Sequence, residues 1–513
     1  MIEGIKIQGI KAPFARGVVM DRGIHYLPHS LTPQARNIRL RNGTTVRRNG
    51  YVKIAKGESD QPIDNLISTW DKLYAISGQQ LYEVDFQKVN LIKKSNTKFG
   101  KNVNLLRYGS FIILLNGENS GCSYNITNGE IKNLAIDEWA NPRLWEVFEQ
   151  NIYLAWSGDK SNILYKSRAW RKNEPENILD FKGNGSEELS FRSKITGMVG
   201  TREQLFIRTE DTIEIIQQSE IWGIRNLISV PIAGMNEPAN PKMVVKADDR
   251  VFFWTKENMM KSLNYVQWVS ETSVGDVSHR EGLSIKDFIE ALDEDQSTSF
   301  GYYNRKNKTV HWHLKPKWEP YTTVVLVYDL DKDTFLVDTN KYFTCVVNHK
   351  IWYYAWSANE QVVYQDERGN ADDGQAIQWE RRTPKLSLGS PTTRKEWRQV
   401  SIYGEKQWDV EIFVDVVVEG KIVCVSKIEA KKQQISGFTS MPTATVPLAR
   451  ESWEWGISPF EFTITRGNLR ARGKDIQVVL KGASWWDFCL TGLEIGYKEL
   501  YEWDKTDRAR PRQ

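Results

Sequence analysis

Residues 152–166, IYLAWSGDKSNILYK, and residues 351–365, IWYYAWSANEQVVYQ, carry one pattern twice. Aligned on Trp156 and Trp356, both have a tyrosine three positions earlier, Tyr153 and Tyr353. Both continue through an identical Ala-Trp-Ser and end on an apolar pair before Tyr165 or Tyr364. Each copy reads as strand, short polar turn, strand, which is a β-hairpin. Self-similarity at this distance is the signature of a repeat architecture.

Weaker copies lie between and before these two. Leu73 to Val84 has an apolar strand, a Gly-containing turn and a return strand with Tyr82. Phe111 to Ile126 opens on FIILL and returns through Tyr124. Leu205 to Ile216 turns at Glu210-Asp211, and Val251 to Leu263 turns at Lys256-Glu257-Asn258. Thr309 to Tyr328 has a longer connection through Pro316 and Pro320. The starts at 73, 111, 152, 205, 251, 309 and 352 are spaced by 38, 41, 53, 46, 58 and 43 residues. Such steps suit a four-stranded propeller blade of about 40 to 50 residues. One hairpin cannot bury its apolar face alone, so the units must pack side by side. The expectation is an all-β chain: a β-propeller of about six to eight blades, with an N-terminal β extension and a C-terminal β-sandwich.

Composition narrows the function classes. The chain has 513 residues, 12% aromatic, with 20 Trp, a load that argues against disorder. Its 69 basic and 65 acidic residues leave a formal charge of +4, too balanced to announce a nucleic-acid or membrane partner. Cys122, Cys345, Cys424 and Cys489 are scattered without a CxxC, as expected of thiols in a reducing compartment. The N-terminus, MIEGIKIQGIKAPF, carries an acid and no long apolar region, so it does not read as a signal peptide. The apolar run Ile351–Trp356 is far short of the roughly 18 residues a membrane helix needs, so no membrane segment is expected and synthesis in the cytoplasm is.

The domains follow from the repeat. Residues 1–60 are read as the N-terminal β extension, 61–375 as the propeller, 376–500 as the sandwich and 501–513 as a basic tail. Two polar loops interrupt the propeller, at 167–194 and 218–242, and long loops on a propeller carry contacts or function. In the extension, Ile38 and Leu40 alternate with Arg39 and Arg41, then Asn42-Gly43 signals a type I′ hairpin returning through Val46. Arg36, Arg39, Arg41, Arg47 and Arg48 crowd this segment. They make either a solvated strand face or a surface gripping an acidic partner or a phosphate backbone.

Further motifs stand downstream. A Pro-rich loop through Met235-Asn236-Glu237-Pro238 precedes a strand pair whose turn falls at Asn258. Ser284 to Leu292, SIKDFIEAL, reads as a helix: Ser284 and Asp287 form a capping box, and Ile285, Phe288, Ile289 and Leu292 make its apolar stripe. The strand Phe300-Gly301-Tyr302-Tyr303 follows, then the hairpin VVLVYDLDKDTFLVD from Val324. Beyond Ser390-Pro391-Thr392-Thr393 the repeat is gone. Val410, Ile412, Val414, Val416 and Val418 alternate with polar residues, as do Ile476, Val478 and Leu480, and Leu493, Ile495 and Tyr497.

Taken in order over roughly residues 1–380, the arginine-bearing strand, the Asn-Gly hairpin, the Arg48-Asn49-Gly50-Tyr51 close, the loop before Asn258, the single helix and the strands after it resemble the tail nozzle proteins of short-tailed bacteriophages. These are also called DNA-stabilisation or tail tubular proteins. The family pattern usually has Arg-Pro before the Gly-Tyr, and Asn49 departs from it. The resemblance implies a virion tail protein that forms a ring, sixfold in the family, below the portal and adaptor. It implies partners among tail fibres or tailspikes, with genomic DNA held in the channel and later released. Contact with DNA would be to phosphates, sequence-independent and salt-sensitive, through residues such as the Arg36 to Arg48 cluster. The alternatives are a tail-fibre-anchoring or receptor-binding component, and a propeller carbohydrase.

Catalytic chemistry is sought and not found. There is no P-loop, GxSxG or HExxH, and no sialidase Asp-box. His311 and His313 flank Trp312 on one strand and share a face, but no Cys or acid joins them as zinc ligands. His25 and His29 lie near Pro28 in an expected loop. Asp329-Leu330-Asp331-Lys332-Asp333 opens like a calcium loop, yet Thr334 and Asn340 stand where Gly and Glu are needed, so a hairpin turn is the expectation. No enzyme activity, cofactor or metal is expected.

Overall fold

The seven hairpins each form the middle pair of a four-stranded antiparallel sheet in the computed structural model of the chain. It describes residues 6–500 apart from 11–12, 21–26, 29, 58–62, 101–102, 120, 137–140, 157–160, 202–203, 211, 219–224, 232–239, 249, 267–270, 277–283, 318–322, 358–359, 407–409, 431–457, 465–468, 470 and 485–487. His25, His29, His279, the Met235–Pro238 motif and the basic tail therefore lie outside the described residues.

Sheet one runs Ile63–Ser68, Leu73–Ser77, Gln80–Asp85, Asn90–Lys93, and sheet two Asn104–Tyr108, Phe111–Leu115, Cys122–Asn125, Ile131–Asn133. Sheet three runs Pro142–Phe148, Asn151–Trp156, Ile163–Lys166, Glu187–Ser190, and sheet four Ile195–Gly200, Gln204–Thr209, Thr212–Gln218, Arg225–Pro231. Sheet five is Val244–Ala247, Arg250–Trp254, Met260–Val266, Glu271–Asp276, and sheet six Phe300–Asn304, Thr309–Leu314, Val324–Asp329, Thr334–Asp338. The seventh, Phe343–His349, Trp352–Ser357 and Val362–Asp366, takes its outer strand from Tyr51–Lys56, far back in the sequence.

The first strands touch in cyclic order from sheet one to sheet seven, and the seventh touches the first again. The architecture is a propeller-like ring of seven sheets. Apolar clusters fill the seams, for example Leu106, Ile113, Ile152 and Leu154 between sheets two and three. Second strands such as Phe111–Leu115 are buried along their whole length, because they face neighbours on both sides.

The two copies of the founding pattern are both second strands. Tyr153 and Tyr353 are buried in them, as are Ala155 and Ala355. The return strands differ by one register step: Ala155 opposes Leu164, whereas Ala355 opposes Tyr364. A single step moves a side chain to the other face. Tyr165 is accordingly buried between sheets two and three, while Tyr364 packs on Tyr51 and Phe343.

Both polar loops differ from their reading. Segment 167–194 contains the short 3-10 turn Pro175–Leu179 and the outer strand Glu187–Ser190 of sheet three. Segment 218–242 contains the outer strand Arg225–Pro231 of sheet four. An edge strand facing water on one side, such as Glu187–Ser190, lacks the apolar alternation that marks a strand. The helix spans Lys286–Glu290, and its N-cap is Ile285, without a side-chain cap, rather than Ser284. The cause is Met20: its N–H donates to the Ser284 carbonyl at 2.9 Å and its carbonyl accepts from the Asp287 N–H at 2.8 Å. Ile285 and Leu292 are buried and Phe288 and Ile289 pack beside them, so the apolar stripe is used as read.

The remaining strands make a sandwich. In one layer, Phe488–Glu499 lies between Lys395–Lys406 and the N-terminal strands Lys6–Gly9 and Thr44–Arg47; Ser458–Ile464 and Ala471–Gly473 extend it. The other layer is Gln375–Arg382, Ile476–Ser484, Val410–Val418 and Lys421–Ala430. Ile412, Val414, Val478 and Leu480 of one layer and Val400, Ile402, Leu493 and Ile495 of the other share one core. Ile10, Phe14, Ile38 and Leu40 belong to it too, so the N-terminal extension is part of the sandwich and of sheet seven. No helix among the described residues is long and apolar enough to cross a membrane.

Candidate interaction surface

The arginine cluster does not form one surface. Asn42 and Gly43 both have positive φ, 48° and 78°, as a type I′ turn requires, and the hairpin places its arginines on different sides. Arg39, with its side chain 15% exposed, makes a forked pair with Asp338 at 2.7 Å through both nitrogens and reaches Glu367 at 3.0 Å. Arg48 is fully buried against Asp372, and its Nε donates to Asn37 Oδ1 at 2.9 Å. Arg47 is buried as well. Only Arg36, half-buried, and Arg41, exposed, stand near solvent. Guanidinium groups held by carboxylates of the same chain cannot also hold a phosphate, so Arg39 and Arg48 are corrected from candidate phosphate contacts to internal ties.

Those ties form a polar junction between extension, sheet six and sheet seven. Lys341, buried between them, lies 2.9 Å from Asp366 and 3.2 Å from Glu367. The Tyr302 hydroxyl donates to Asp366 at 2.9 Å. Asn37, at φ 56°, donates to Thr339 Oγ1 and to the Gln378 carbonyl. Burial alone would lower the Arg39 pKa, but Asp338 and Glu367 outweigh it and hold the guanidinium charged. His311 and His313 line the inner side, stacked on Tyr302 and Phe300. Burial, then Arg39 and Lys341, push His311 down to about 3, so a proton is disfavoured there. Among the described residues no three His, Cys, Asp or Glu side chains gather to hold a metal ion. The Asp329–Asp333 segment is a hairpin turn, with the Lys332 N–H on Asp329 Oδ1 at 3.1 Å.

A surface that the sequence did not single out lies where first strands turn into second strands and third strands into fourth. Trp70 is 79% exposed and Ile351 71% exposed, with Trp352, Phe86, Val89 and Val52 also exposed. Side-chain contacts make this patch continuous over four sheets. Lys306 of sheet six and Arg368 of sheet seven lie 5.8 and 6.0 Å from the Trp352 ring. His349 of sheet seven bonds Ser68 of sheet one at 2.8 Å and stacks on Phe86. Arg107 of sheet two lies 4.7 Å over the Trp70 ring. These cations rest near indole faces, an arrangement worth about 0.5–1 kcal/mol each at exposed sites. Exposed Trp and Arg around aliphatic side chains are the composition of a protein-docking surface. Single turn residues such as Trp70 carry no periodic signal, so only the folded ring reveals that they adjoin.

No protein-family model matches the chain, and no curated protein matches it. Solved structures similar to it include a computationally designed protein, Ika8, at 10% identity and a TM-score of 0.39, covering 61% of this chain and 99% of that one. The N-terminal domain of Nup159 is similar at 10% identity and a TM-score of 0.41, covering 62% and 94%. Raptor of Chaetomium thermophilum is similar at 8% identity and a TM-score of 0.40, covering 62% of this chain and 29% of that chain.

Proposed function

We propose that this chain is a structural subunit of a short-tailed bacteriophage tail: the nozzle ring that closes, and later opens, the DNA exit channel below portal and adaptor. The observation that carries the reading is the place of the Arg48-Asn49-Gly50-Tyr51 segment, one of the pieces of the resemblance. Arg48 ties the extension to Asp372; Gly50 packs so closely on Ala371 that a Cβ there would stand 1.9 Å from its carbonyl oxygen; Tyr51 begins the strand that completes sheet seven. A motif that joins ring, extension and sandwich has a mechanical task. A subunit under DNA pressure needs that kind of tie.

DNA passing such a channel would meet phosphate-facing cations without base readout. With Arg39 and Arg48 committed inside the chain, those cations come from elsewhere on the surface. The exposed indole patch favours, as a second reading, a component that anchors tail fibres. Antibodies raised against the purified protein, viewed by negative stain on the particle, test the proposal. Label on a ring at the tail is expected. Label on the capsid, on fibre tips, or on no part of the particle would overturn it.

A further inference from the structure

The cationic indole patch has a chemical complement on the same chain, on the outer face of the sandwich. Tyr403, Glu405, Glu461 and Glu494 stand together there: Tyr403 opposes Glu461 across the strand pair, and its hydroxyl donates to Glu494 at 2.9 Å. The hydrogen bond to Glu494, then burial, then the charges of Glu494 and Glu461 push the Tyr403 hydroxyl up to about 12. Ile7, 59% exposed on the adjoining edge strand, shares this face, because it opposes Gly496, two residues on from Glu494. Gly492 and Gly496 leave the face flat. The propeller patch presents the reverse: Trp70, Trp352 and Ile351 framed by Arg107, Lys306 and Arg368.

We infer that these two surfaces are the two halves of one contact, and that the patch of one copy docks on the acidic sandwich face of a second copy. Charge complementarity carries the assignment, with an aromatic and aliphatic centre on each side. The surfaces differ, so the contact is head-to-tail, and head-to-tail contacts close into rings when the rotation allows. The inference rests on the proposed tail ring in one respect, the expectation that copies assemble; it adds which residues meet.

Three forms of the full-length chain test it by sedimentation velocity and native mass spectrometry, at low and high protein concentration. Lys306→Glu with Arg368→Glu reverses the patch, and Glu461→Lys with Glu494→Lys reverses the sandwich face. Lys306, Arg368 and Glu461 are exposed and Glu494 is half-buried beside Tyr403, so a single cooperative melting transition in each double variant serves as the folding control. Wild type should associate, more weakly in high salt. Each double variant alone should associate about a hundredfold more weakly. Mixed together, the two variants should assemble in alternation, because the two sound halves meet and the two reversed halves complement each other. All four changes in one chain should restore assembly. A wild type that is monomeric throughout, or a double variant that assembles like wild type, overturns the inference. Assembly by this contact in a protein absent from the tail would spare it and overturn the nozzle reading. A tail ring untouched by the charge reversals would do the opposite.

Discussion

Arg48 and Asp372 meet through two hydrogen bonds, Nη1 to Oδ1 at 2.8 Å and Nη2 to Oδ2 at 2.5 Å, across 324 positions of sequence. The pair fastens the N-terminal hairpin to the hairpin that leads from ring to sandwich. Removing one partner leaves a buried charge, at a cost of about 3–5 kcal/mol. Arg48→Ala should therefore lower the unfolding free energy by that amount in urea, and Arg48→Lys by a good part of it, since an ammonium cannot make the forked contact. Arg48→Met with Asp372→Leu should lose less than Arg48→Ala alone. An Arg48→Ala protein as stable as wild type would refute the tie.

Trp356 and Trp352 sit four residues apart on one strand with opposite fates. Trp356 is fully buried in the seam between sheets seven and one, and Trp352 is exposed. Trp356→Ala should cost about 3–5 kcal/mol; Trp352→Ala should cost about 0.5 kcal/mol or less. Equal melting points for the two variants would contradict the burial of Trp356 and the exposure of Trp352 at the start of the same strand.

The repeat was legible because second strands are buried on both sides and read as apolar runs. All seven starting positions fall at or within one residue of a second strand, from Leu73–Ser77 to Trp352–Ser357. Outer strands were harder. Glu187–Ser190 faces water, and Tyr51–Lys56 pairs with a strand about 300 residues away, which no local pattern announces. The arginines were legible as a cluster but not as ties, because Asp338, Glu367 and Asp372 lie far downstream. The indole patch was not legible, since it is assembled from turns of separate sheets.

Acid should loosen the junction in two stages. His311, held at about 3 by burial and then by Arg39 and Lys341, refuses a proton that the unfolded chain takes up below its ordinary 6.5. Stability therefore falls as the pH drops below 6.5, by up to about 1.4 kcal/mol per pH unit. Burial raises the Glu367 carboxyl, but Lys341 and Arg39 outweigh it and hold it at about 2. Its contribution is complete above the ordinary 4.5 and is lost as the pH falls toward 2. Melting temperature against pH should decline below 6.5 and steepen below 4.5. His311→Asn with His313→Asn should flatten the upper stage. A wild-type curve flat between neutral pH and 4.5 would remove the histidines from the account.

Proteolysis should open the ring–sandwich connection at one place and spare another. Arg394 is 63% exposed beside the exposed Gly389–Thr392 stretch. The Gly369–Gly374 turn is instead held by the Gly50 N–H on Gly369, the Asp373 N–H on the Tyr51 carbonyl, and Arg48 on Asp372. Trypsin should cut after Arg394 before Arg368. First cuts at Arg368, read by mass spectrometry of the fragments, would show that the hairpin is not held.

The most direct test of the tail-ring reading is a cryo-electron density map of the intact particle. A ring of copies is expected below the adaptor, into whose density the seven-sheet ring and the sandwich dock as a unit, with the indole patch of one copy on the sandwich of the next. A map with no ring of this shape along the DNA exit path, or with the chain placed as a single copy elsewhere on the particle, would contradict it.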